Sequence, residues 1–202
     1  PAMHDAAFGA LGIDARYEAW DVPPGELATV VPQLRSSSML GANVSVPHKV
    51  AVMEHLDEVR DRARAIGAVN LVWNDGGRLV GDNADAAGFL RSLVEAGIEV
   101  KGRDVAMLGA GGAARAATWA LLAEGVASVR IWNRTQATAR TLAAGVRPYA
   151  DGATVHVVEG IADLAGADLW VQTTTLGMEQ GGRRPDTSPV PADAWSDLLQ
   201  GA

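Results

Sequence analysis

The residues with the clearest chemical potential stand in three short strings. These are NVSVPHK, with Asn43, Ser45, Pro47 and Lys49; GAVN, ending in Asn70; and GDNADAAGF, which contains Asp85. Together they place an ammonium, a hydroxyl, an amide and a carboxylate on predicted loops. Oxidation of a secondary alcohol needs its hydroxyl proton removed while another group takes the hydride, and a paired lysine and carboxylate can handle that proton as a unit. Lysine is an ammonium in neutral water, so work as a base requires desolvation or cationic neighbours. A carboxylate opposes that change, yet it orients a hydroxyl and shares its proton. A lysine after Pro-His is, by itself, an ordinary solvated loop charge; the surrounding strings give it meaning.

A fourth string supplies a complementary half. VAMLGAGGAARAATWALLAEG reads as an apolar strand, a glycine turn and an alanine-rich helix, and VRIWNRT follows as a second strand. Gly109, Gly111 and Ala114 occupy the G-x-G-x-x-[GA] positions, which serve the tight turn, the approach of a pyrophosphate and close helix packing. The turn Gly109, Ala110, Gly111, Gly112 and Ala113 opens onto a helix N-terminus, whose free N–H groups and dipole favour phosphate. Glycine turns are common, but one inside a βαβ unit predicts a dinucleotide site. Asn133, Arg134 and Thr135 end the second strand, where an NAD site would place an acidic residue against the ribose. A guanidinium there favours the 2′-phosphate of NADP. ADLWVQTTTLGM predicts a third strand that delivers Thr174 to the nicotinamide half. The alternative for Thr174 is a buried threonine satisfying backbone groups.

The elements that must position these groups alternate between helical and extended patterns. A helix is predicted over residues 2–11, a strand over Tyr17–Val22, a helix over 25–35 and a strand over Gly41–Val46. Apolar Met53, Leu56, Val59, Ala63 and Ile66 recur every three or four residues and predict one amphipathic helix from Val50 to Ile66. Asp57, Glu58, Arg60, Asp61 and Arg62 would form its solvated face. AVNLVWNDGGRLVG predicts a hairpin around Asp-Gly-Gly. Phe89, Leu90, Leu93 and Val94 predict a helix over Ala86–Ala96, capped by Gly97 and bridging two lobes. The fold class is α/β in two lobes: an N-terminal α/β substrate-binding domain, 1–100, and a C-terminal Rossmann-type dinucleotide-binding domain, 101–202. The chain enters a helical pattern directly at Pro1 and finishes with PVPADAWSDLLQGA in a short apolar helix pattern, so residues are expected before and after it, including an N-terminal strand and the rest of the second lobe.

Composition narrows the partners. The 202 residues are 48% apolar and carry a net charge of −7, with basic residues scattered, which argues against nucleic acid and a membrane surface and for a small-molecule ligand. The absence of cysteine excludes thiol chemistry and sulfur-ligated zinc. No apolar run approaches the roughly 20 residues of a membrane span, and a cytoplasmic chain is expected. His4, His55 and His156 lack metal-ligand spacing, so no metal is expected. His48 could tune Lys49 or hold its loop. The six tryptophans read as core and interface packing, with Trp132 near an adenine site.

In order and spacing these strings resemble the shikimate dehydrogenase family. NVSVPHK is similar to its N-V-[TS]-x-P-x-K, GAVN to its G-A-V-N, and GDNADAAGF to its G-x-N-T-D-G-x-G, while LGAGGAARA and NRT resemble its cofactor turn and selectivity loop. The resemblance implies an NADP-dependent enzyme that interconverts 3-dehydroshikimate and shikimate in aromatic amino acid and chorismate biosynthesis, as a monomer or homodimer. It implies Lys49 and Asp85 as the catalytic pair, Ser45, Asn70 and Asp85 at the substrate, and Gly109–Ala113, Asn133, Arg134, Thr135 and Thr174 at the cofactor. Departures are Ala84 for the usual threonine, Ala86 for glycine, the altered run Gln172–Met178, and Thr138 where many relatives carry a second basic residue. They admit quinate or an aminoshikimate as substrate, relaxed cofactor choice, or a non-catalytic nucleotide-binding homologue. The family's carboxylate-gripping serine pair would lie upstream of Pro1 and its late glutamine segment beyond Ala202, so weak or absent activity is expected of this polypeptide by itself.

Overall fold

The computed structural model describes residues 1–178 and 188–199, which form two separate four-stranded sheets, one in each lobe. The first holds β1 (Gly41–Asn43), β2 (Glu58–Val59), β3 (Leu71–Asp75) and β4 (Arg78–Asp82) in the order β1-β3-β4-β2. β3 and β4 make the expected hairpin. Gly76 and Gly77 take φ values of 60° and 95°, the positive values that match a two-residue turn to strand twist. Leu71 pairs with Asp82, so Asn70 and the stretch Asn83–Asp85 emerge side by side from the open end. That register brings two of the three N-terminal strings together.

Several expected elements fold differently. Tyr17–Val22 pairs with no strand among the described residues; an open trough of about 560 Å³ lies between it and β1. Helix α1 (Ala2–Leu11) buries none of its residues. It is tied to this segment by His4 stacked on Tyr17 at 4.1 Å and by Asp5 Oδ1, which accepts the Tyr17 N–H at 2.7 Å. The predicted helix over 25–35 divides into a 3-10 turn at Pro24–Glu26, a single turn α2 (Leu27–Val30) and a second 3-10 turn at Val31–Arg35. Pro32 has no N–H to continue α2, and the tighter turn still buries Leu27, Val31 and Leu34. β1 ends at Asn43, three residues before its predicted end.

The single helix predicted over Val50–Ile66 is also broken. A 3-10 turn at Ala51–His55 gives way to β2, which joins β4 in parallel, and only then does α3 (Asp61–Ile66) begin. Tertiary bonds override the helical period. Asp57 accepts the Leu79 N–H at 2.7 Å and a forked pair of bonds from Arg35, and Arg60 donates its N–H to Gly81 at 2.9 Å. The charges assigned to a solvated face are therefore in use. Arg62 pairs with Asp82 at 2.8 Å, and the Arg60 guanidinium lies 5.3 Å from the Trp73 ring centre. The Arg35 side chain first, then the Leu79 N–H, holds the Asp57 carboxyl below its ordinary value of 3.8. A depressed carboxylate contributes stability above its unfolded pKa and loses it as pH falls through the folded value. Asp57→Asn should therefore be less stable than the parent at pH 7, and urea denaturation should show the gap closing below about pH 4. A gap of equal size at pH 7 and pH 3 would reject this account.

The second sheet is wholly parallel. It holds β5 (Asp104–Leu108), β6 (Ser128–Trp132), β7 (Thr154–Val157) and β8 (Leu169–Gln172) in the order β7-β6-β5-β8. Val105, Ala106, Met107 and Leu108 are all buried, as a strand covered on both faces requires. Helices α5 (Gly112–Ala123) and α6 (Gln136–Val146) follow β5 and β6. On another part of the lobe Leu164, Val190 and Leu198 cluster with Trp170 and Trp195, whose rings meet edge to face at 5.1 Å. Trp195 begins the short α7 (Trp195–Leu198). Trp20 departs from the expected packing and is exposed.

The lobes meet along a seam of small side chains. Helix α4 (Asp85–Glu95) packs on α5, and Ile66, Ala68, Ala86, Ala116 and Ala120 are buried together with Phe89, Leu90 and Trp119 around them. Val94, read as part of the apolar face, is exposed, because the stripe that turns inward is Ala86, Phe89, Leu90 and Leu93. Gly97 ends the chain's helical path at φ 69°, as expected. No helix of the described residues is long and apolar enough to cross a membrane.

Candidate active site at the seam

Lys49, Asn70 and Asp85 converge at the mouth of the seam. Lys49 Nζ donates to Asp85 Oδ2 at 2.5 Å, and Asn70 Nδ2 donates to Asp85 Oδ1 at 2.6 Å, so both carboxylate oxygens are engaged. Asn70 Oδ1 accepts the Ala84 N–H at 2.8 Å, which locks the amide orientation. The Lys49 side chain is 14% exposed and that of Asp85 30%. The ion pair is thus partly screened yet open to a ligand, and its charge-assisted bonds are stronger than neutral ones. Lys49 and Asp85 are the charged members of a cleft of about 270 Å³ lined also by Phe89, Ala113, Ala116, Ala117, Val171, Gln172 and Thr173. Residues of both lobes therefore face one space.

Backbone bonds explain why the lysine loop holds this position. Val44 donates its N–H to Asn70 at 2.8 Å and Val69 donates to Lys49 at 2.7 Å, which ties the NVSVPHK loop to the GAVN segment at two points. The Val46–Pro47 bond is cis, and His48 donates its N–H back to Ser45 at 2.9 Å. His48 Nε2 lies 2.7 Å from the Val22 carbonyl. A carbonyl only accepts, so Nε2 carries the proton and the ring fastens the loop to the extended 17–22 segment. Of the two roles left open for His48, the contact is the structural one. Ser45 is exposed and lines the 560 Å³ trough rather than the cleft of Lys49 and Asp85.

One organising residue escaped the sequence reading. Asn83 is completely buried; its Nδ2 donates to Ala68 at 2.9 Å, and its Oδ1 accepts the N–H groups of Asp85 at 2.9 Å and Ala86 at 3.4 Å. It satisfies donors that the first turn of α4 leaves open and so fixes where Asp85 points. The asparagine three positions before the predicted helix was the available signal.

The glycine turn lies where strand order reverses, between β5 and β8, which is where open parallel sheets bind ligands. Gly109 has φ 112°, and a Cβ there would stand 2.5 Å from Thr173 Oγ1 and 3.3 Å from Thr174 Cγ2. Thr174 therefore borders the turn, and its Oγ1 accepts the Leu176 N–H at 3.2 Å. A Cβ at Gly111 would meet nothing within 4 Å, so the turn is open on its outer side. Ala110 is buried and Ala113 faces the cleft. The first-turn N–H groups of α5 have no intrahelical partners and point out of this turn. These features fit a dinucleotide pyrophosphate. Asn133, Arg134 and Thr135 follow β6, with Arg134 and Thr135 exposed and Asn133 Nδ2 bonded to the Thr135 carbonyl at 2.9 Å. Among the described residues no group of three His, Cys, Asp or Glu side chains could hold a metal ion.

A parallel sheet with a glycine turn at its switch point, joined along a helical seam to a second α/β lobe bearing Lys49 and Asp85, defines a two-lobed fold of the Rossmann-containing class. Residues 1–72 match the family model described as the shikimate dehydrogenase substrate binding domain, and residues 92–174 match that described as shikimate / quinate 5-dehydrogenase. The chain is 46% identical over 198 residues to the shikimate dehydrogenase (NADP(+)) of Symbiobacterium thermophilum, covering 96% of this chain and 66% of that protein. It is 41% identical over 203 residues to that of Bacillus cytotoxicus, covering 100% and 71%. Shikimate 5-dehydrogenase from Thermus thermophilus, solved in complex with NADP(H) and shikimate, superposes with a TM-score of 0.79 at 40% identity, covering 96% of this chain and 68% of that one. The chain belongs to the shikimate dehydrogenase family and spans about two thirds of the length of such curated relatives.

Proposed function

We propose that the protein carrying this chain is an NADP-dependent shikimate dehydrogenase, with residues 1–100 as substrate domain and 101–202 as dinucleotide domain. The observation that carries this reading is the Lys49–Asp85–Asn70 cluster opening into the same cleft as the residues beside the glycine turn. NADP, when bound, supplies the hydride acceptor. Gly109–Ala113 would hold its pyrophosphate, Arg134 and Thr135 its 2′-phosphate with Asn133 shaping their loop, and Thr174 would border its nicotinamide half. The Lys49–Asp85 pair, acting as one titrating unit, takes the proton from the substrate hydroxyl oxygen as the hydride leaves the carbon that bears it. Asp85 holds Lys49 and the hydroxyl in line, while Asn70 keeps Asp85 from rotating. Water exclusion comes from the apolar wall of Phe89, Ala116, Ala117 and Val171. Ser45, on the same loop, would reach a ring hydroxyl from the trough side. The similarity to the Thermus protein bound to NADP(H) and shikimate supports the choice of both ligands. A cytoplasmic enzyme of chorismate biosynthesis, monomeric or homodimeric, follows from the same reading.

The test is NADP reduction by the full-length gene product with shikimate and with quinate as substrates, and NAD as the competing cofactor. The expected result is a kcat/KM at least about tenfold higher for shikimate, a difference of about 1.4 kcal/mol in barrier, and a preference for NADP. Cofactor binding without turnover of either substrate would overturn the assignment.

A further inference from the structure

The glycine that follows the phosphate-binding pair has a different neighbour from the rest of the turn. A Cβ on Gly112 would stand 2.8 Å from Lys49 Cβ, 2.9 Å from Cδ and 3.3 Å from Cγ. Gly112 is the first residue of α5, on the other lobe. The nearest of these atoms is the Lys49 Cβ, which cannot swing clear by rotation about a side-chain bond. Any side chain at 112 must push back the lysine loop itself, against its bonds to Val69 and Ser45. The neighbouring Gly111 faces open space instead. Two adjacent glycines therefore leave room for different things, Gly111 outside the turn and Gly112 for the lysine stem.

We propose that Gly112 is a positioning residue for Lys49: the missing side chain is the seat on which the lysine stem crosses from one lobe to the other, fixing Nζ against Asp85. The assignment rests on the function proposed above only for its catalytic consequence; the contact itself stands without it. It also gives the dinucleotide turn a direct mechanical link to the proton-handling group, since the residue carrying the stem begins the helix whose N–H groups face the phosphate.

The chain has two lysines, Lys49 and the exposed Lys101, so selective 13C labelling of lysine ε-carbons resolves the seat directly. In the 202-residue chain Gly112→Ala should move the Lys49 signal and leave that of Lys101 in place. Gly111→Ala should leave both signals in place and weaken NADP binding instead. In the full-length gene product Gly112→Ala should lower kcat on the order of 100-fold, the scale set by a displacement of about 1 Å in a reacting group, with a smaller rise in the KM for NADP than Gly111→Ala gives. Alanine is a better helix former than glycine, so any loss of folding in Gly112→Ala must come from the lysine contact, and Lys49→Gly/Gly112→Ala should restore it. An unmoved Lys49 signal, or a double variant as unfolded as the single one, would overturn the proposal. A moved Lys49 signal in a protein that turns over no shikimate would leave the seat standing and defeat the functional reading alone.

Discussion

Lys49→Ala is expected to lower kcat for shikimate oxidation by about a thousandfold while leaving NADPH affinity within about twofold of the parent. The size is that of a lost general base or acid, roughly 10²–10⁴-fold in typical cases. The separation of effects follows from the geometry. Lys49 Nζ contacts Asp85, whereas the proposed cofactor contacts lie on the glycine turn and the loop after β6. Truncation leaves Asp85 Oδ1 bonded to Asn70, so the carboxylate keeps one partner and its place. Lys49→Arg should not restore turnover, because a guanidinium does not give up its proton in proteins. Steady-state kinetics with a parallel NADPH fluorescence titration decides the matter. A kcat within tenfold of the parent, or equal losses of kcat and NADPH affinity, would remove Lys49 from the chemistry.

The second large effect concerns folding. Gly109→Ala should destabilise the chain by on the order of 3 kcal/mol, combining backbone strain at positive φ with overpacking. At φ 112° an alanine is strained in any surroundings, and its Cβ would collide with Thr173 Oγ1 at 2.5 Å and crowd the Thr173 carbonyl carbon at 3.2 Å. Thr173 cannot yield cheaply, since its N–H and hydroxyl both donate to the Leu108 carbonyl at 2.8 Å. A loss of this size lowers the melting temperature by roughly 6–12 °C in a chain of this length. Calorimetry of the two proteins tests it, and a melting temperature within about 2 °C of the parent would show that the turn relaxes.

The convergence of the candidate site was more legible than the scaffold, for a physical reason. Lys49, Asn70 and Asp85 stand in strings whose residue types are chemically unusual together, and the Gly76–Gly77 turn fixes the hairpin that aligns two of the strings. The glycine turn was legible for the same reason, because a parallel sheet leaves few residues able to make it. Where tertiary bonds decide structure, the local pattern misled. Met53, Leu56, Val59, Ala63 and Ile66 have helical spacing, yet Asp57 bonds Leu79 and Glu58–Val59 pair with β4, contacts invisible within the window from Val50 to Ile66. Tyr17–Val22 has strand composition but pairs with no strand among the described residues. Helix α6 and strand β7 went unread although Ala139, Leu142, Ala143 and Val146 recur at helical spacing, and Thr154–Val157 alternates with Val155 buried. The last expected helix was found only as the single turn Trp195–Leu198, and its final residues, 200–202, lie outside the described residues. Lys49 across Gly112 could not be anticipated, because the contact joins residues distant in sequence, whereas Asn83 was signalled by its place ahead of α4 and only its bond to Ala68 was hidden.

The seam between the lobes carries a lesson for anyone who would recombine them. Ala68, Ala86, Ala116 and Ala120 are buried methyl groups facing one another, so the two halves are held at the closest spacing that side chains permit. Such a joint has no slack to absorb a mismatched partner. A chimaera that takes its first lobe from one family member and its second from another inherits a working register only if these alanines travel together with Gly112 and Lys49. The practical unit of exchange is then the pair of facing helix surfaces, and a crossover placed in the connecting stretch after Gly97 divides that unit.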